Sequence, residues 1–267
     1  MEIKEWTYEE YPAFEEEVEG AVRIPTTGDE PGTYIYSNVE YANMDGVPLH
    51  LQIITPQTRN TKNKDNKYSC LVYVQGSAWL KQNINAKLGL LARLAEKGYV
   101  IAVVEYRHSG IAPFPAVAID TRNAIRFMKQ HSAEYMVDAD VKGIISFYGV
   151  NSMMLPDGTP STLNHHLPDS PEGKEMGGVN LREHPELCRK MSVECNVDEQ
   201  TKLPPVLMFH GTKDKTINPR VSVTVYNRLK QCGKDVKLYF LEGADHGGSE
   251  FLTEEVQRIV MEFMNKV

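Results

Sequence analysis

Residues 204–214 read Pro-Pro-Val-Leu-Met-Phe-His-Gly-Thr-Lys-Asp. The run from Pro204 to Phe209 is apolar without alternation, which is how a strand buried on both faces reads. It breaks into a short polar turn that leaves Asp214 on a loop. The same pattern recurs downstream. Val236 to Leu241 is a second such strand, and Glu242-Gly-Ala-Asp-His-Gly-Gly248 follows it, with His246 set among glycines. Upstream, Cys70 to Val74 ends at Gly76, and Tyr99 opens another buried run through Tyr106. Val141 to Tyr148 gives one more. Helical periodicity separates these strands at Asn85–Lys97, Pro115–Tyr135, Val221–Leu229 and Phe251–Val267, with Asn218 as the expected N-cap and Pro219 in the first turn of the third. Strands that alternate with helices predict an α/β fold, a mostly parallel sheet covered on both faces. Tyr34–Tyr41 and Leu49–Ile54 alternate only partly and read as edge strands. Asn60–Lys67 reads as a surface hairpin loop.

The chain has 267 residues and suits a single α/β domain over 1–267. Residues 1–33 read as an acidic extension, in which Glu9, Glu10, Glu15, Glu16, Glu17 and Glu19 form a solvated face. The net charge of −7 argues against nucleic acid as a partner. The start, Met1-Glu-Ile-Lys-Glu-Trp6, lacks the pattern of a signal peptide, and no apolar run reaches the ~18 residues of a membrane span. Cys70, Cys188, Cys195 and Cys232 form no Cys-x-x-Cys. The expectation is a cytoplasmic protein with no membrane partner, no cofactor and no metal. His165 and His166 have no further ligand at a metal-binding spacing and read as loop residues. Residues 151–203 break the strand–helix rhythm and are too long for a plain connection. They read as an insertion lying over the C-terminal ends of the strands, where open α/β sheets bind ligands.

Three strand-end patterns carry the candidate chemistry. Gln75-Gly-Ser-Ala-Trp79 is a turn of small residues whose N–H groups at Ser77 and Ala78 could face a developing oxyanion. Taken alone it is an ordinary turn. Asp214 taken alone is a turn aspartate, and His246 a surface histidine. In sequence, an acid and then a histidine on consecutive strand-end loops match the last two members of a Ser…Asp…His triad. The carboxylate there fixes the imidazole tautomer, and the imidazole serves as general base and then general acid.

These motifs resemble the α/β-hydrolase superfamily, and within it the bacterial esterase/lipase group related to hormone-sensitive lipase and the BD-FAE (feruloyl-esterase-like) proteins. Gln75-Gly-Ser-Ala-Trp79 stands where that group carries His-Gly-Gly-Gly-Trp. Glu105-Tyr-Arg-His-Ser-Gly110, Ala112-Pro-Phe-Pro-Ala116 and Asp120 resemble its next strand, loop and helix. Pro168–Gly178 resembles its insertion, and His210–Asp214 and Gly243–His246 its acid and base loops. The resemblance implies hydrolysis of a small carboxylic ester, with catalytic Asp214 and His246, an oxyanion hole at Ser77 and Ala78, and Trp79 lining the substrate pocket.

The family's Gly-x-Ser-x-Gly elbow is missing. No pair of glycines four residues apart brackets a serine anywhere in the chain. Met136-Val-Asp-Ala-Asp140 resembles the lead into the elbow strand, and Val141–Gly149 the strand after the elbow helix. A strand, turn and helix of ~30 residues are therefore expected to be absent between Asp140 and Val141. Three readings follow. The gene as read has lost a segment of a working esterase; or the chain is a catalytically dead relative that binds small molecules; or another serine, Ser77, Ser146 or Ser152, substitutes, with Ser152 the least implausible. A peptidase activity is a weaker alternative. Because unpaired buried backbone is costly, Val141–Tyr148 is expected to move across and pair with Cys70–Val74.

Overall fold

The hairpin that opens the sheet is built on Asp45-Gly46. Both residues have positive φ, 56° and 85°, as a two-residue hairpin turn requires. It joins β1 (Thr33–Met44) to β2 (Val47–Pro56) in an antiparallel pair. The computed structural model describes residues 3–57, 66–138, 140–154 and 159–267. β2 pairs antiparallel with β4 (Tyr99–Val104), and β3 (Tyr68–Val74) pairs parallel with β4 along its length. β4, and not β3, is the neighbour of β2, so the Asn60–Lys67 segment between β2 and β3 is not a hairpin loop; most of it lies outside the described residues.

A second sheet holds β6 (Ile144–Phe147), β7 (Val206–Gly211) and β8 (Val236–Leu241), all parallel. The architecture is that of an α/β-hydrolase, with the strand order β1-β2-β4-β3-β5 in one piece and β6-β7-β8 in the other. Between them in the chain lies β5 (Val137–Asp138), paired with Tyr68 and Ser69 at the start of β3. From Cys70 to Val74 the outer edge of β3 meets no strand among the described residues.

The expected shift of Val141–Tyr148 onto β3 does not occur. Among the described residues β6 pairs with β7 alone. Two local features explain this. The start of β3 is already occupied by β5, and the exposed Lys142–Asp138 pair, at 2.7 Å, lies just beyond it. On the other side Phe147 stacks on Phe209 with ring centres 5.0 Å apart, and Tyr148 N–H donates to Phe209 O. The cost of unpaired backbone is lessened because β3 is half-exposed, so water reaches its free edge.

Helices cover both pieces. α1 (Leu88–Ala95) packs Leu91 and Ala95 on β4, and α2 (Ala116–Gln130) packs Ala124 and Met128 on the β2 and β4 face. α6 (Arg220–Gln231) places Val225 and Leu229 against β7 and β8. Pro219 is its cap residue, and Asn218 caps one step further out by accepting from Arg220 N–H. α7 (Glu254–Lys266) straddles the break. Met261 and Met264 join Leu71, Tyr73 and Ile101 of the first piece, while Val260 and Phe263 join Ile145, Leu207 and Phe209 of the second.

Among its described residues the segment between β6 and β7 carries three short helices, α3 (Pro171–Glu175), α4 (Pro185–Met191) and α5 (Val193–Asn196). His165 lies in a turn, as its sequence context suggests, but it is buried and its Nδ1 stands 2.8 Å from Glu172 Oε1. Such a pair holds the segment together. Among the described residues no group of three or more His, Cys, Asp or Glu could hold a metal ion. Nor is any helix there long and apolar enough to cross a membrane. All four cysteines are free thiols.

Candidate active site

Asp214 and His246 come together because the loops after β7 and β8 are stitched to each other. Lys213 N–H donates to Ala244 O, Gly243 N–H to Thr212 Oγ1, and Lys215 N–H to Asp245 Oδ1. A side chain at Gly211 would stand 2.3 Å from Ala244 O, so only glycine lets the loops approach this closely. Gly247 and Gly248, at φ 81° and 103°, let the second loop turn back.

The result is a carboxylate–imidazole pair. Asp214 Oδ2 lies 2.8 Å from His246 Nδ1, with the Asp214 side chain fully buried and the His246 side chain about a third exposed. Asp214 Oδ1 accepts from the N–H groups of Thr216 and Ile217. Burial by itself would raise the Asp214 pKa. Hydrogen bonds from His210, His246 and Ile217 N–H outweigh it and hold the carboxyl well below the usual carboxylate range. An ionised Asp214 fixes the His246 proton on Nδ1 and leaves Nε2 for a reactant. Sequence reasoning passed over His210. It is buried, stands 3.0 Å from Asp214 Oδ2 through Nε2, and meets Ser222 Oγ through Nδ1 at 2.7 Å. A histidine closing a buried strand four residues before the acid was the available signal.

On the other side of the break, Ser77 and Ala78 follow β3. Ala78 and Trp79 have φ of 52° and 55° in succession, a left-handed backbone that costs L-residues about 1–2 kcal/mol each. The N–H groups of Ser77 and Ala78 meet no acceptor among the described residues, whereas Ser77 Oγ is committed to Leu80 O and Tyr106 Oη. Trp79 packs with Met153, Met176 and Cys188 of the segment between β6 and β7.

Among the described residues none of the three candidate serines hydrogen-bonds His246. Ser152 is buried and its hydroxyl donates to Glu194, which overturns its standing as the least implausible nucleophile. Ser146 Oγ accepts from Asn151. The ring that does meet His246 is that of Tyr148, edge-on with centres 4.9 Å apart.

A family model described as BD-FAE matches residues 53–141 and again 138–229, together more than half of the chain. The chain belongs to the BD-FAE family. The two BD-FAE blocks meet at residues 138–141, between β5 and β6. A probable isoprenylcysteine alpha-carbonyl methylesterase of Arabidopsis thaliana is 23% identical over 249 residues, covering 75% of this chain and 52% of the relative. A probable carboxylic ester hydrolase of Mycobacterium tuberculosis is 34% identical over 71 residues, 26% of this chain and 16% of the relative. The chain thus spans about half the length, or less, of these curated relatives. A truncated carbohydrate esterase from gut microbiota has the same fold at TM-score 0.68 and 21% identity, covering 90% of this chain and 98% of that one. A thermophilic esterase of Thermogutta terrifontis superposes at 0.68 with 19% identity, covering 89% of this chain and 95% of that one. BD-FAE membership places this protein among esterase relatives, and its Asp214–His246 pair stands on the loops that follow β7 and β8.

Proposed function

We propose that this chain is a carboxylic-ester hydrolase relative that keeps the acid–base half of the machinery and has lost its nucleophile, so that it binds small molecules at the strand ends with little or no ester turnover. The observation that carries this reading is the pairing of Asp214 with His246 while the hydroxyls of Ser77 and Ser152 donate elsewhere and Ser146 Oγ accepts from Asn151. Asp214 and His246 are the acid and base of this reading, Ser77 and Ala78 N–H the oxyanion donors, and Trp79 a wall of the pocket. Residues 151–203 cover that pocket, residues 1–33 are an acidic extension of the single domain, and the protein works in the cytoplasm. The missing elbow belongs between Asp140 and Val141, and the meeting of the two family blocks at 138–141 supports that placement.

The chemistry follows from what remains. Without a serine, His246 can only draw a proton from water, and a general base of this kind contributes about 10²–10⁴-fold. A triad works as a unit, so loss of the serine alone removes most of its effect. Purified protein is expected to leave a short-chain aryl ester unhydrolysed above background and to resist labelling by a fluorophosphonate. Turnover that disappears in His246→Ala, or labelling at any serine, sinks the reading in favour of a working esterase.

A further inference from the structure

The charge of this chain is divided unevenly. Residues 1–33 hold ten acidic and two basic side chains, a net charge of −8 against −7 for the whole chain, so residues 34–267 carry +1. The apolar residues of this arm are as open to water as its acids. Phe14 is 66%, Val18 54%, Val22 86% and Ile24 81% exposed. Among the described residues, residues 14–24 hydrogen-bond only one another. Arg23 donates to Phe14 O and Glu16 O, and Ala21 N–H donates to Val18 O. The arm therefore pairs with no strand of its own chain. Its sequence nonetheless has the period of a strand. Val18, Gly20, Val22 and Ile24 fall on one face, and Glu17, Glu19 and Arg23 on the other.

The body of the molecule offers a strand edge that lacks a neighbour. From Cys70 to Val74, β3 has β4 on one side and no strand on the other among the described residues, because its pairing with β5 stops at Ser69. Five residues make about 17 Å of ladder. Val74 there is 39% exposed, and Ile144 of β6, across the break, is 38% exposed. The exposed charges beside the edge are Lys67 before β3, Lys87 with its Nζ 5.9 Å from the Tyr73 ring centre, and Lys142, which is bonded to Asp138 and has Asp140 two residues before it. Three lysines against two aspartates leave this rim free of net negative charge. Two arms, each at −8, repel one another, so the apolar face of an arm is not covered by a second arm. The body of a second copy presents it with unpaired backbone, apolar surface and no repulsion. An extended segment laid on a free edge gains main-chain hydrogen bonds and buries alternate side chains. Each chain has one arm and one such edge, so a two-fold exchange fills both.

We propose that residues 18–24 of one chain add as a strand to the Cys70–Val74 edge of a second copy, so that two chains exchange arms in a dimer. Docking opens the Val18–Ala21 turn and gives up its one backbone bond for a ladder of several. Nothing in this exchange depends on ester turnover. The test combines sedimentation equilibrium of the full chain with amide exchange at Cys70–Val74, both followed across protein concentration. A dimer is expected to form as concentration rises, with exchange at Cys70–Val74 slowing in step. Val22→Pro removes a ladder donor from an arm that is exposed in the single chain, so the body is left intact. It is expected to weaken the dimer at least about tenfold and to leave Cys70–Val74 fast at every concentration. Val22→Ile, which keeps the β-branched side chain, is expected to retain both effects. A chain that stays monomeric throughout overturns the proposal. So does a dimer that leaves exchange at Cys70–Val74 unchanged, or one that Val22→Pro does not weaken. Slow exchange in a monomer, independent of concentration, places the arm on its own edge and overturns the exchange between copies.

Discussion

β3 and β4 lie side by side in parallel register from Ser69 and Tyr99 to Val74 and Val104, and both are apolar runs. Yet every residue of β4 is buried, whereas β3 is half-open and Val74 is 39% exposed. The difference is the number of neighbours. β4 lies between β2 and β3, and β3 has β4 on one side and the two residues of β5 on the other. Burial in an α/β sheet is supplied by the flanking strands as much as by the helices above and below. The loops that carry Asp214 and His246 stand on the side of the molecule where β7 keeps both of its neighbours.

The strongest way to break this contrast is to fill the gap. A strand–turn–helix bearing Gly-x-Ser-x-Gly, taken from an esterase relative and inserted between Asp140 and Val141, is expected to close the β3 edge. Amide exchange at Cys70–Val74 would slow to the level of β4. Hydrolysis of an aryl ester would rise by up to on the order of 10⁶ in kcat, the worth of a serine in its triad. Unchanged exchange at β3 after insertion refutes the placement of the gap. Within the chain as it stands, Ile101→Ala on β4 is expected to cost about 2–5 kcal/mol by urea unfolding, and Val74→Ala less than about 1 kcal/mol. Equal losses would show that β3 is as well packed as β4.

Two buried carboxyls sharpen the comparison further. Asp214 has four partners. Glu175 has both oxygens buried without one, and burial pushes its pKa up from 4.5 to about 8. Their pH effects have opposite signs. Asp214, whose folded pKa is depressed, contributes stability that is present above the unfolded carboxylate value and lost as pH falls towards the folded one. Glu175 binds its proton more tightly when folded, so stability falls as pH rises from 4.5 to about 8. Glu175→Gln is expected to flatten that fall and to gain about 1–3 kcal/mol at pH 8, in urea unfolding followed against pH. A slope that survives the substitution assigns it to another group. The smallest effect is expected from Lys142→Ala. The Lys142–Asp138 bond is exposed to solvent, and its loss should leave the unfolding midpoint unmoved.

The buried strands, the main helices and the strand-end loops that carry Asp214 and then His246 were legible because each is local. Continuous apolar runs, helical periodicity and glycines at strand ends carry them. Asp45-Gly46 was equally legible as a hairpin turn and went unread. The pairing partner of β6 was not legible, because an apolar run does not record which of two edges it will join. Backbone satisfaction alone favoured β3; the stacking of Phe147 on Phe209 and the hydration open to the β3 edge decided for β7. The commitment of Ser152 to Glu194 spans 42 positions and the pairing of Asp214 with His246 spans 32. Only the second had a motif to announce it.

The position of α7 has a consequence for the order of assembly. Tyr99 Oη donates to Asn265 Oδ1 across 166 positions of sequence, and the methionines and Phe263 of this helix grip opposite sides of the break. In an uninterrupted sheet, backbone ladders would join the two pieces as the strands emerge from the ribosome. Here Trp79 and Phe114 already pack on the segment between β6 and β7, but the helix that grips both sheet pieces follows every described strand. Until it arrives, the nascent chain carries two separate sheets and two unclosed strand edges, the species most prone to pair with a neighbouring chain.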